Sequence, residues 1–363
     1  MTIGRSGKKG FYALAISSAI AFFVCLFPVG SFLTPVTRAK TIKKGGAPCN
    51  FSLSPGEATF SAAGGSSFFS VNTSCSWLVT DRSSWIIANA SGSGSGTVGY
   101  TVQSNSGASR YGVISISNNI GTDTVGFGVV QSGTFPSFTS VNGASFVAPV
   151  APESIVAGFG SGLATTTESA TTNPPPTLLG NRRVKVRLAS GTVLDAPLYY
   201  VSPTQINYLM PSGIPPLFTA IVTVYVGNTS TIVAEGLVST NFVAPGLFNN
   251  GGTASGQWQR YNGSTLVGTG DLSTPIEFGN PDDVVYLVLY GTGFRSRSSL
   301  SGVSVTIGGT AATVTYAGPQ GIFVGEDQLN VIIPRSLSGT GVVNIVMTVD
   351  GRNANTVQVT AGI

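Results

Sequence analysis

The sequence predicts an all-β protein made of three small sheet modules in tandem, and three observations carry that reading. Gly (48 residues) and Pro (20) are abundant while only 9% of the 363 residues are charged, which favours strands and turns and leaves little material for amphipathic helices. Apolar residues make up 42% of the chain, enough to build cores, so the Gly content does not signal disorder. One stretch is also written twice. Tyr199-Tyr200-Val201-Ser202-Pro203-Thr204-Gln205-Ile206-Asn207-Tyr208-Leu209-Met210-Pro211 returns in shortened form as Glu326-Asp327-Gln328-Leu329-Asn330-Val331-Ile332-Ile333-Pro334. Each copy places Gln and Asn two apart, follows Asn with three apolar residues and stops at Pro, which cannot donate a ladder hydrogen bond.

The chain opens on an export segment, residues 1–39. Arg5, Lys8 and Lys9 precede an uncharged apolar run from Phe11 to Phe27, and Pro28, Gly30 and Pro35 then break any helix. Thr37-Arg38-Ala39 offers small residues at the −3 and −1 positions of a cleavage before Lys40. The alternative is an uncleaved anchor, since no charge falls between Lys9 and Arg38. Either outcome puts the bulk of the chain outside the cytoplasmic membrane, secreted or at the cell surface, with membrane contact only through this segment if it is retained.

Charge follows the same division. Seven basic residues and no acidic ones lie in the first 44 positions, and from Gly45 onward 11 Lys plus Arg face 14 Asp plus Glu. The basic excess therefore belongs to the export segment and the linker at 40–48, which argues against nucleic acid as a partner. His is absent, removing the commonest general base and the commonest zinc ligand.

Residues 49–133 form the first module. Phe51, Leu53, Phe60, Phe68, Phe69 and Val71 mark short strands between turn-forming clusters, and Val98, Tyr100 and Val102, then Ile114 and Ile116, then Val125, Phe127 and Val129 alternate with polar residues. This period reads as a β-sandwich. Cys49 and Cys75 are the two cysteines left once Cys25 departs with the signal; in an exported chain they should pair, adding about 3–4 kcal/mol, the alternative being two buried thiols. Cys75-Ser76-Trp77, Ser84-Trp85-Ile86, the Gly/Ser stretch from Ser91 to Gly96, Gly99-Tyr100-Thr101-Val102, Arg110-Tyr111-Gly112 and Val129-Val130-Gln131-Ser132-Gly133 together resemble a BACON domain. That resemblance implies an immunoglobulin-like sandwich on an exported bacterial protein and carbohydrate binding. Trp77 and Trp85 sit among β-branched and aliphatic neighbours, which points to the core rather than to a sugar platform.

A Ser/Thr/Asn-rich connector at 134–147 leads to the first repeat, 148–245. Thr165 to Pro176 reads as a long loop with polyproline character, and Val184, Val186 and Leu188 alternate with Lys185 and Arg187 as a half-buried strand. Arg182, Arg183, Lys185 and Arg187 read as a solvated face, with an anionic glycan as the minority alternative. Residues 246–283 are expected to link the repeats and to contain a hairpin turning at Asn262-Gly263. Within it Trp258 and Tyr261 lie among polar residues and are the candidate ligand-binding aromatics, against packing at the domain junction. The second repeat, 284–363, opens on the apolar run Val284 to Tyr290. Each repeat supplies about seven strands, the immunoglobulin-like count. Ala151-Pro152-Glu153-Ser154-Ile155-Val156, Phe159-Gly160-Ser161-Gly162-Leu163, Ala196 to Asn207, Ala244-Pro245-Gly246-Leu247-Phe248 and Tyr290-Gly291-Thr292-Gly293 resemble the Solibacter-type C-terminal domain of exported acidobacterial proteins, and also the IPT/TIG subclass of immunoglobulin-like folds. This implies a fold and a secreted setting, with no activity attached.

No catalytic constellation emerges. A serine nucleophile lacks a His base. Asp282-Asp283 and Glu326-Asp327 are adjacent pairs, which on an extended chain point to opposite faces and so make no acid/base couple. No metal or cofactor motif is present, the Ser91 to Gly96 stretch lacking the Lys-Ser/Thr and helix that phosphate binding requires. The expected function is a non-catalytic exported protein that binds glycans or surface polymers through the first module; the alternative is a structural or adhesive spacer with no small ligand.

Overall fold

A computed structural model describes residues 48–363; the export segment and nearly all of the basic linker lie outside the described residues. The described residues form one compact unit of strands joined by turns, with two single-turn 3-10 helices at Leu300–Gly302 and Arg335–Leu337. None of them forms a helix long and apolar enough to cross a membrane. The fold is all-β and built of immunoglobulin-like sandwiches, as the composition and the alternating runs predict.

In the first module a four-stranded sheet, in the order Ser52–Ser54, Gly65–Asn72, Gly96–Val102, Ile86–Ala88, faces a five-stranded one, in the order Glu57–Phe60, Thr124–Gln131, Arg110–Asn118, Ser76–Arg82, Ser91–Ser93. Alternation sends Phe69, Val71, Val98, Tyr100 and Val102 inward from the first and Ile114, Ile116, Phe127 and Val129 inward from the second. Phe69 and Phe127 stack across the gap with centroids 4.1 Å apart; burying one such ring is worth about 1.5–3 kcal/mol. Cys49 and Cys75 are disulfide-bonded.

All three tryptophans of the chain rest against glycines. A Cβ on Gly92 or Gly96 would fall 2.7 or 2.8 Å from the Trp77 ring, one on Gly112 would fall 2.5 Å from Trp85, and one on Gly270 would fall 2.6 Å from Trp258. The Gly/Ser stretch from Ser91 to Gly96 thus has a packing role: it is a floor for Trp77, whose Nε1–H donates to the Gly94 carbonyl at 2.8 Å. Trp85 is half-buried, with the Arg110 guanidinium 4.2 Å above its ring.

The second module pairs a five-stranded sheet, ordered Thr139–Asn142, Ile155–Phe159, Gln205–Leu209, Leu198–Val201, Glu168–Ser169, with a four-stranded one, ordered Val193–Ala196, Arg182–Arg187, Thr219–Val226, Ile232–Ser239. The expected connector at 134–147 therefore contributes an edge strand, Thr139–Asn142, whose register on Ile155–Phe159 runs from Thr139 opposite Phe159 to Asn142 opposite Val156. Arg182 shares the inward parity of Val184 and Val186; it is buried, with its guanidinium donating to the Leu163 and Asn181 carbonyls. That corrects the expectation of a wholly solvated basic face. Arg187 is also engaged, donating to the Ser109 carbonyl of the first module at 2.5 Å.

In the third module one strand, Thr310–Pro319, pairs with Val303–Ile307 through its first three residues and with Asp327–Ile332 from Thr313 onward, so both layers belong to one continuous sheet. The segment expected to link the repeats is part of this sheet. Gly256–Asn262 pairs with Val284–Thr292 on one side and with Thr265–Asp271 on the other. Its turn sits one residue later than expected: Asn262 pairs with Thr265, leaving Gly263-Ser264 at the corner with Gly263 at φ +59°, as a two-residue turn with Gly first requires.

Polar contacts join the modules. The Tyr111 hydroxyl lies 2.7 Å from the Arg187 carbonyl and accepts from the Ile221 N–H, while buried Glu235 accepts from the Ser109 N–H at 2.5 Å and the Thr223 hydroxyl at 2.9 Å. Burial raises the Tyr111 pKa, which keeps this hydroxyl neutral at the interface.

Candidate ligand-binding faces

The two sequence-predicted aromatics part company in the structure. Trp258 is 4% exposed and belongs to the core of the third module, paired opposite Leu287. Its flanking Gln257 and Gln259 face outward because successive strand residues alternate, and that same alternation drives the indole inward. Its face is therefore covered, which corrects the expectation of an exposed stacking ring. Tyr261 stands on the outer face, half-buried, with its ring edge-on to Tyr286 at 5.7 Å and its hydroxyl donating to Gln259 Oε1 at 3.1 Å. Together with Val288, Thr315 and Asn330 these side chains line an open groove of about 300 Å³ in which no charged side chain takes part.

A second face, not singled out from the sequence, lies on the four-stranded sheet of the first module. Its outward residues are Ser52 and Ser54, then Ser66, Phe68, Ser70 and Asn72, then Thr97, Gly99 and Thr101, then Ile87. None is charged. Phe68 is 67% exposed and sits opposite Gly99, whose missing side chain leaves the ring uncovered on that side. Beside it the Ser66 and Thr101 hydroxyls are hydrogen-bonded at 2.8 Å. The signal was the doublet Phe68-Phe69: in a strand only one of two neighbours can face the core, and Phe69 pairs inward with Val98.

One carboxylate of each acidic pair is tied into the fold. Asp283 accepts from Asn262 at 2.8 Å and from the Asn280 N–H at 3.0 Å and lies 3.4 Å from the Arg260 guanidinium; the Asn262 bond, above all, holds its carboxyl below the usual range. Asp327 is fully buried, ion-paired to Arg295 at 2.8 Å and capped by the Phe294 and Arg295 N–H groups. Burial pushes its pKa up to about 6 against the opposing pull of Arg295. Among the described residues no three His, Cys, Asp or Glu side chains gather as a metal cluster.

Residues 274–361 match the IPT/TIG domain. The IPT/TIG match covers the strands from Val284–Thr292 to Val357–Ala361 and leaves the Gly256–Asp271 hairpin outside. No curated protein matches the chain. Among solved structures, a Bacteroides ovatus GH5 xyloglucanase in complex with a XXXG heptasaccharide is similar at 19% identity over 29% of this chain and 22% of that one, with a TM-score of 0.21. The chain thus spans about a fifth of that enzyme's length. An ICAM-5 D1-D4 ectodomain fragment is 10% identical over 86% of this chain and 77% of its own, with a TM-score of 0.20. The glycoside hydrolase family 107 endo-fucoidan hydrolase MfFcnA4 is 13% identical over 78% and 39%, with a TM-score of 0.17.

Proposed function

We propose that this chain is an exported, non-catalytic binding protein that takes a neutral glycan or surface polymer on the outer face of its first module. The observation that carries the reading is the exposed Phe68 ring on a charge-free field of Ser and Thr hydroxyls. A pyranose ring offers an apolar face and a rim of hydroxyls, so an aromatic ring beside hydrogen-bonding groups matches it in kind. The BACON resemblance of residues 49–133 and the Cys49–Cys75 disulfide, a bond of oxidising compartments, support the same reading. The non-catalytic part of the proposal is supported by Asp283 and Asp327, whose carboxylates are engaged by Arg260, Arg295 and backbone N–H groups.

The test is retention of the whole protein on a panel of insoluble and gel-embedded neutral polysaccharides, alongside Phe68→Ser and Ile87→Ser. We expect retention on at least one polymer, abolished by Phe68→Ser and weakened by Ile87→Ser. Passage of the unaltered protein through every polymer, or equal retention of Phe68→Ser, would reject the reading. The spacer alternative is supported by the polar contacts of Tyr111, Arg187 and Glu235, which hold neighbouring modules together, and it is left standing if no polymer binds.

A further inference from the structure

Three strands of each repeat correspond residue by residue. In the first, Ile155 faces Leu209, Ala157 faces Asn207 and Phe159 faces Gln205; in the second, Tyr286 faces Ile332, Val288 faces Asn330 and Tyr290 faces Gln328. The neighbouring strand breaks step at the same point in both, Tyr199 being the extra residue between Leu198 and Tyr200, and Thr315 between Val314 and Tyr316. The amide pair recurs as well: Gln205 donates to Asn207 at 2.7 Å and Gln328 to Asn330 at 2.8 Å. Shared register and shared bulge mean that one outer face has been built twice.

On the first repeat that face is filled. Gly325, from the loop at 320–326 of the second repeat, seats among Ile155, Leu209 and Tyr199, so closely that a Cβ would stand 2.8, 2.7 and 3.1 Å from their nearest atoms. The Tyr199 hydroxyl donates to the Val324 carbonyl at 2.5 Å. Thr292 Oγ1 donates to the Gly325 carbonyl at 2.7 Å and accepts from the Ile155 N–H at 2.8 Å. A glycine turn is thus held by an apolar seat and by hydrogen bonds to its own backbone.

On the second repeat the corresponding positions are Tyr286, Ile332 and Thr315, and two of them line the open groove described above. We propose that this groove is a docking socket for a glycine-bearing turn of another polypeptide, the counterpart of Val324-Gly325 on the first repeat. The groove suits peptide backbone: it is uncharged, Gln259 and Asn330 present amides, and Thr315 stands where the bulkier Tyr199 stands in the filled copy. This site is separate from the Phe68 face and does not rest on the glycan reading.

The probe is a head-to-tail cyclic peptide of residues 320–326, Gln-Gly-Ile-Phe-Val-Gly-Glu, closed so that the turn is already formed on binding. Titrated into the whole protein by NMR, it should give saturable one-site binding with shifts at Thr315, Tyr286 and Asn330. Replacing its second glycine by alanine, or introducing Thr315→Arg or Asn330→Ala into the protein, should weaken binding by about ten-fold or more. Absence of saturable binding, equal binding of the alanine peptide, or binding unaffected by both protein variants would overturn the proposal. So would a neutral oligosaccharide that saturates the groove where the peptide does not. Self-association that the peptide blocks and Thr315→Arg abolishes would support docking and identify a second copy as the source of the turn.

Discussion

Gly270 lies directly against the indole of Trp258, with room between them for no atom: a Cβ on Gly270 would stand 2.6 Å from Nε1 and 2.7 Å from Cε2. The pair locks the Thr265–Asp271 edge strand onto the core of the third module. Gly270→Ala should therefore destabilise that module by about 1–3 kcal/mol, the range for overpacking a rigid site. Denaturant titration followed by tryptophan emission reads the change, and an unmoved midpoint would show that the ring relocates at no cost.

The disulfide should matter on a similar scale. Cys49 and Cys75 are 26 residues apart, and closing a loop of that length adds about 3–4 kcal/mol by the chain-entropy relation. Reduction, or Cys49→Ser with Cys75→Ser, should lower the first unfolding transition in calorimetry and leave the transition of the third module in place. A simultaneous drop of both transitions would contradict the independence of their cores.

Gly325→Ala should loosen the second module from the third. Gly325 has φ +77°, where an L side chain costs about 1–2 kcal/mol, and the added methyl would press on Leu209 and Ile155. Hydrogen exchange at Ile155, whose N–H donates to Thr292, should rise. Unchanged protection there would mean the loop withdraws without disturbing the seat.

Asp327 sets a pH dependence of definite sign. Its folded pKa, near 6, lies above the ordinary carboxylate value near 4, so the folded state binds the proton more tightly than the unfolded one. The corresponding stability is present in full below about pH 4 and is lost as pH rises to about 6. Asp327→Asn should flatten the fall in denaturation midpoint across that window while lowering stability overall, because Arg295 loses its partner. A slope identical to that of the unaltered protein would assign the titration elsewhere.

The fold was legible because its signals are local. Alternation placed the strands of the first module, and the repeated Gln-x-Asn stretch marked two copies of one sheet. What was missed depends on partners distant in sequence. Thr139–Asn142 looks like a polar connector until Ile155–Phe159 supplies its ladder, and Gln257-Trp258-Gln259 looks like a polar hairpin until Leu287 is set opposite the indole. The exposure of Phe68 is written in the doublet Phe68-Phe69, since only one of two adjacent strand residues can face the core. The groove at Asn330 was half visible, through Tyr261, but its kinship with the seat of Gly325 needed the bulges at Tyr199 and Thr315, and a single extra residue in a ladder leaves no mark in composition.

The placement of the three indoles also decides what light can report. Two belong to the first module and one to the third, so tryptophan emission watches both ends of the described chain while the middle sandwich carries no indole. A tryptophan introduced there, for example Phe218→Trp beside Tyr111, would give the missing colour to the central unit and let all three unfoldings be followed separately.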